Sequence, residues 1–544
     1  MLRPDLSRRK LFCAVLLALA GLLVLRYCAF GLSYYPQLDD YIQYHNYLTS
    51  SSFWALVQTA GLLVSRPLAD LADYFVWGRL FDHMLVGVVL ISLLYVLCVG
   101  MIWSLLRRCF TVGPVFPVVM TLLPLGMEGL YWMSASTRIV GGMFFGCLAA
   151  MAFAHWLDTG RWYWLTAYLP LQLLPFGFYE QCAVLSMTLV LGLALLELRS
   201  KKGRCAAALW APAAMVLYLK FLALMAPYNQ HAARSEVLLP NTPYYWDNFL
   251  PRVLEQIGEA FGKGGLLTLG KGVIRGTEML VSDGLWLWLM LAFVGCGLLG
   301  WLMYRERGAE KSDSPSIRLL ALLAGILLAV APVTPFLILG NPWFSLRGTV
   351  TSFAGIALIV DTLAAWVLCR WRKALPWISA AFALVCLVAC LSEVRDYRDT
   401  YLADQQIAET VLSTLEQDGV GQDTKVGILN VEPTYLADQN FYYHEHIHGC
   451  TENSWAFAGL LAAKSGIDWP NVTPLPTTPM YQPWNRKTNA PDCFDRLYYY
   501  DGQQLIQAQL KPDGTESCQV TDKQGNLLGK IWEENGSGYF QPTT

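Results

Sequence analysis

Charge is scarce in this chain. Asp, Glu, Lys and Arg make up 15% of its 544 residues and hydrophobic types 55%, which excludes an ordinary soluble protein. A net charge of −2 leaves no basic surplus for nucleic acid, so no such partner is expected. Ionisable residues are rarer still inside the apolar runs, with Asp361 the main exception. That pattern argues against a proton or ion relay across a bilayer. No small-residue cleavage site follows the first apolar run, and Cys28 lacks the small residue that precedes a lipidated cysteine. Residues 11–30 are therefore expected to be a retained signal anchor. No internal repeat is present. All but three of the 14 cysteines lie in or beside apolar runs, where a thiol behaves as a small apolar group. Cys450, Cys493 and Cys518 permit one disulfide, its pairing open.

What the chain has in abundance is apolar segments near the roughly 20 residues that cross about 30 Å of hydrocarbon. They fall at 11–30, 84–106, 115–133, 139–156, 162–175, 182–198, 206–225, 285–304, 319–339, 351–368 and 375–391, giving about eleven expected helices. Placing Arg3, Arg8, Arg9 and Lys10 in the cytoplasm puts Arg107-Arg108, Arg161, the 199–204 cluster, the 305–311 cluster and the 370–373 cluster on that side too. Lys and Arg are retained preferentially in cytoplasmic loops, so the alternation is self-consistent. The expectation is a multi-pass plasma-membrane protein with a cytoplasmic N-terminus.

Three extracytoplasmic stretches exceed simple turns. In 31–83, the segments 53–63 and 67–80 mix aromatic, aliphatic and charged residues at helical spacing, as surface-lying amphipathic helices do. The stretch 226–283 has a Pro- and Tyr-rich start and a Gly-rich middle (Gly262, Gly264, Gly265, Gly270, Gly272). It reads as a mobile loop carrying one or two interfacial helices. From 393 to 544 long apolar runs stop, and helix signals (401–415, 454–464) alternate with strand signals (425–431, 496–510, 527–533). The fold class is thus an α-helical polytopic membrane domain, 1–392, followed by a small extracytoplasmic α/β or α+β domain, 393–544. The Pro-rich piece 470–483 reads as an extended connector.

Near the membrane the charges gather toward one face. Arg26, Glu128, Arg138, Glu180, Lys220 and Arg347 fall at the extracytoplasmic ends of their segments, beside the loop holding Asp39, Asp40, Arg66, Asp70, Asp73 and Arg79. In layout, in the run Leu38-Asp39-Asp40-Tyr41, in Ser65-Arg66-Pro67-Leu68 and in the late Arg347, the chain resembles the GT-C superfamily of membrane glycosyltransferases. More narrowly it resembles bacterial glucosyltransferases that use polyprenyl-phosphate sugars to decorate surface polysaccharides.

The resemblance implies inverting transfer of a sugar from a polyprenyl-phosphate donor to a hydroxyl of a glycan or glycoconjugate outside the cell. Such a reaction needs a carboxylate to take the hydroxyl proton, a role for Asp40 or Asp39, with Asp40 favoured. Adjacent residues of an extended segment point oppositely, so one of the two would face the cavity. It also needs a fixed cation for the leaving phosphate, a role for Arg347 first, with Arg66 and Arg138 in reserve. Glu180 can bind sugar hydroxyls, or a divalent cation (Mg or Mn) together with an aspartate. Tyr179, Trp132 and Tyr131 can stack on sugar faces.

Each residue also has a plainer account. The aspartates fit a solvated loop, Arg347 a snorkelling side chain, Glu180 a charge favoured at a helix N-terminus, the aromatics an interfacial belt, and Arg66, Asp70 and Asp73 internal ion pairs. In a strand, His444, His446 and His448 would share one face. They lack a further evident zinc ligand, so no metal site is assigned. A flippase or transporter of lipid-linked sugars, or a polysaccharide polymerase or ligase, shares much of this layout.

Overall fold

The computed structural model describes residues 6–50, 52–225, 227, 237–306, 314–340, 343–431, 449–475, 484–485, 493–513, 517–534 and 537–543. The chain forms two compact units, residues 1–34 with 54–394, and residues 35–53 with 395–544.

The first unit is helical. Among the described residues of the whole chain, eight helices are long and apolar enough to cross a membrane, fewer than the eleven expected. Residues 115–133 do not form one span. Pro124 opens a tight turn, Pro124–Gly126, that separates the short helices Val115–Leu122 and Met127–Tyr131, because proline offers no amide to continue a helix. The helix at 162 stops at Leu171 after 10 residues, only about 15 Å of rise. The segments 182–198 and 206–225 form two helices, Glu180–Cys205 and Trp210–Met225, with non-helical backbone at Lys201 near the end of the first, and they fold back so that Tyr218 reaches Glu180.

Helix Met133–Thr159 packs against Met84–Leu106, Trp162–Leu171 and Glu180–Cys205. Its start carries Arg138 and its end Asp158, 20 positions apart and so separated by about 30 Å, the thickness of a hydrocarbon core. Asp158 pairs with Arg108 at 2.8 Å and Lys201 at 3.0 Å. Arg107 grips Glu306 with both amino groups, at 2.6 and 3.0 Å, and lies over the Trp103 ring.

Helices Pro315–Val330 and Phe353–Val367 approach through glycine. A Cβ on Gly355 would lie 2.1 Å from the Ala329 nitrogen and 2.3 Å from the Gly325 oxygen. Both are backbone atoms that cannot swing away. Gly355→Ala is therefore expected to destabilise the helical unit by about 2 kcal/mol or more, as overpacking does, whereas Gly192→Ala, with open space around it, leaves thermal stability in detergent unchanged.

The stretch 226–283 carries the one or two helices expected of it, and its Gly-rich middle is helical as well where described. Short π-helical turns at Tyr245–Phe249, Glu259–Gly264 and Leu267–Lys271 alternate with α-helices Leu250–Gly258 and Gly272–Ser282. The glycines serve close approach: a Cβ on Gly272 would sit 2.8 Å from the Ala389 oxygen, and one on Gly276 would meet the Val388 oxygen at 2.0 Å. In 31–83, helices form where expected, as Phe53–Thr59 and Pro67–Ala72, the latter running on through Asp73–Trp77.

The second unit contains the end of the 43-residue helix Leu375–Gln417, which at about 65 Å is more than twice as long as a bilayer core is thick. Strand β1 (Val426–Leu429) lies between β2 (Val472–Leu475) and β4 (Arg496–Tyr500), both parallel to it, and β5 (Leu505–Gln507) adds an antiparallel edge. β2 falls in the piece expected to be a connector. A second sheet is antiparallel in the order β3 (Trp484–Asn485), β9 (Ser537–Pro542), β8 (Leu527–Glu534), β7 (Ser517–Thr521), β6 (Gln509–Pro512). Leu429, Leu475 and Leu497 of the first sheet pack with Val520 and Phe540 of the second in one core. Residues 35–53 belong to this unit. Tyr35 packs on Tyr401 with ring centroids 5.8 Å apart, and Gly459 of helix Ser454–Ser465 lies against Tyr41 and Ile42.

Candidate functional site

Six of the residues singled out from the sequence converge in the first unit. Helix Glu180–Cys205 starts at Glu180, after a tight turn, Leu174–Gly177, built on Pro175. Gly177 in that turn lets Leu68 approach within van der Waals contact, which brings Ser65-Arg66-Pro67-Leu68 alongside. Arg66 Nη2 pairs with Glu180 Oε2 at 3.2 Å, and its guanidinium stands 4.4 Å over the Tyr179 ring. The Tyr218 hydroxyl lies between the Ser65 oxygen (3.1 Å) and Glu180 Oε1 (3.3 Å), each an acceptor for its proton. Burial disfavours the Arg66 cation, yet Glu180, with Tyr179 and Tyr218 adding to it, outweighs that penalty and holds its pKa above the ordinary arginine value.

Arg138 lies within electrostatic reach of Arg66. Its Nε donates to Asp73 Oδ2 at 3.1 Å while Thr137 donates to Asp73 Oδ1 at 3.0 Å, so Asp73 is an ion-pair partner as its plainer account expects. Asp70 accepts the Leu63 amide at 2.8 Å. Arg347 reaches the cluster from the far end of the sequence: Gln181 Nε2 donates to the Gly348 oxygen at 3.0 Å, and the Arg347 guanidinium lies 5.3 Å from the Trp132 ring centre. Two guanidiniums thus rest on aromatic faces, an attraction that also fixes their planes. Arg66 Nε is buried and has no acceptor among the described residues. A buried donor without a partner is costly, and an anion would satisfy it.

Both Glu180 oxygens are already taken, by Arg66 and Tyr218, which leaves Glu180 poorly placed to bind a divalent cation. Among the described residues no group of three or more His, Cys, Asp or Glu is arranged to hold a metal. His444, His446 and His448 lie outside the described residues. Among the described cysteines none is paired: Cys450 is buried, Cys493 exposed and Cys518 in between.

Asp39 and Asp40 belong to the second unit. They sit on a helical turn, Asp39–Tyr41, and not on the extended segment expected. Asp40 is fully buried and accepts the Gln37 amide at 3.0 Å, while its own amide donates to the Gln37 oxygen at 2.9 Å. Asp39 is half-buried. Around them stand Tyr41, Asp404 and Cys450. Burial drives the Tyr41 hydroxyl well above its usual range, with Cys450 and Asp404 adding to the shift. Burial likewise raises the Cys450 thiol, with Asp404 acting the same way.

Tyr218, Thr137, Gln181 and Asp404 escaped the sequence reasoning, and Cys450 drew notice there only as a disulfide candidate. Tyr218 lies in a predicted span with nothing to mark it, and Asp404 is one acid in a charged helix. Comparison with protein-family models finds no match to this sequence, and comparison with curated proteins finds none either.

Proposed function

We propose that this chain is a membrane glycosyltransferase that moves a sugar from a polyprenyl-phosphate donor to a hydroxyl of an extracytoplasmic glycan or glycoconjugate. The observation that carries the proposal is the gathering of Arg66, Arg138 and Arg347 in a unit of membrane-length helices, with Arg66 Nε still without an acceptor. A lipid phosphate leaves with growing negative charge, and fixed cations in a water-poor site stabilise that charge most. Tyr179 and Trp132 hold two of the guanidiniums. As the resemblance implies, Asp39 or Asp40 takes the proton of the attacking acceptor hydroxyl and the anomeric centre inverts. The half-buried position of Asp39 and the hydrogen bond of Asp40 within its own turn favour Asp39.

Mass spectrometry of surface glycans and lipid-linked sugars, with and without the gene, tests the proposal. Lost product with accumulated donor supports a transferase. Donor trapped in the cytoplasmic leaflet indicates a flippase and overturns it. In the reconstituted protein, Arg66→Gln and Arg347→Ala are each expected to lower turnover about 100-fold, the usual cost of removing one group that stabilises developing charge. Glu180→Gln separates that loss from simple breakage of the ion pair, and unchanged donor affinity and turnover in an arginine variant would remove that arginine from the site.

A further inference from the structure

Leu38 precedes the aspartate pair with φ +39° and ψ −106°. An L-residue seldom adopts such a backbone and keeps it only where its surroundings enforce it. Local bonds supply part of that enforcement. Gln37 and Asp40 exchange hydrogen bonds, the Tyr41 amide donates to the Leu38 oxygen at 3.3 Å, and Gln37 Nε2 donates to the Tyr397 oxygen at 3.1 Å.

A second set of contacts comes from about 400 positions further along the chain. The Cys450 amide donates to Asp404 Oδ2 at 2.8 Å, and the Cys450 thiol lies near enough to the Asp404 carboxylate and the Leu38 amide for both to act on its titration. Asp404 and Cys450 are fully buried. The thiol can accept from Leu38 while its S–H donates to Asp404, forming a short chain of bonds that ends on the strained residue. Gln405, next to Asp404, donates to the Tyr41 hydroxyl at 3.2 Å. All these groups lie in the second unit.

We infer that Cys450 and Asp404 are positioning residues: through Leu38 they hold the turn that aims Asp39 and Asp40. The catalytic importance of that aim rests on the function proposed above. The holding of the turn does not.

The test uses the full chain with Cys450→Val, which keeps the volume but removes the bond chain, and Cys450→Ser, which restores a donor and an acceptor. Amide exchange of a peptide covering 35–46 is expected to be at least about tenfold faster in the valine variant and near wild type in the serine variant, as local opening requires. With a polyprenyl-phosphate sugar as probe, turnover is expected to fall at least about tenfold in the valine variant with donor KM unchanged, since small misplacement of a reacting group is costly. Serine should rescue both readouts. Unchanged exchange overturns the inference, and so does loosened exchange with full turnover. If the wild type transfers no sugar while exchange still loosens, the clamp stands and the transferase proposal falls. Asp404→Asn, which keeps an oxygen for the Cys450 amide, is expected to lie between the two cysteine variants, and exchange as fast as in the valine variant would deny the oxygen its role.

Discussion

Asp39→Asn is expected to lower sugar transfer by about 10²–10⁴-fold, the span of general-base contributions, while expression and folding persist. The amide has nearly the shape of the carboxylate but cannot take a proton. Asp40→Asn is the informative companion. Its side-chain oxygen can still accept the Gln37 amide, so the turn is retained, and any large loss of turnover then reports chemistry rather than folding. A drop confined to Asp39→Asn assigns the base to the half-buried member of the pair. One confined to Asp40→Asn restores the choice favoured from sequence. Full transfer in both single variants and the double variant would remove the pair from the mechanism.

The second large effect concerns stability. Asp361 lies in helix Phe353–Val367 and is almost completely buried. Its carboxylate accepts three backbone amides at the start of helix Val115–Leu122: Gly113 at 2.7 Å, Val115 at 3.1 Å and Phe116 at 3.2 Å. Those amides have no partner within their own helix, and the positive end of its dipole favours the anion. A carboxylate expensive to bury thus satisfies donors that would themselves be expensive to bury. Asp361→Ala strands the three amides and is expected to destabilise the helical unit by about 3–5 kcal/mol, as removal of one partner of a buried charged pair does. Asp361→Asn keeps one acceptor oxygen and should lose less. Thermal unfolding in detergent is expected to rank wild type above Asn and Asn above Ala; Ala equal to wild type would refute the account.

Asp361 also shows what sequence can and cannot carry. Its position marked it as an exception among residues that otherwise sit at helix ends, but its partner lies some 245 positions earlier in a helix that appeared to be part of a longer span. Pro124 and Gly126, in the turn that ends that helix, were visible in the sequence, yet apolar content outweighed them. In the stretch 226–283 the helices were expected, but the role of its glycines was not legible. Composition cannot distinguish glycine that loosens a chain from glycine that admits a neighbouring backbone, as Gly276 does beside Val388.

The sequence by itself determined the membrane class, because apolar length and scarce charge are properties of local runs and bilayer thickness filters them directly. It also singled out Arg66, Arg138, Glu180 and Arg347, since ionisable groups beside hydrocarbon are few. Tertiary structure decided which of these groups meet. Arg66 chose Glu180 and Tyr179, Arg138 chose Asp73, and Arg347 settled on Trp132, pairings between distant segments that no spacing rule encodes. It also decided the setting of the aspartates, whose turn is held by Cys450 and Asp404, because a strained backbone is stable only where packing from elsewhere in the chain maintains it.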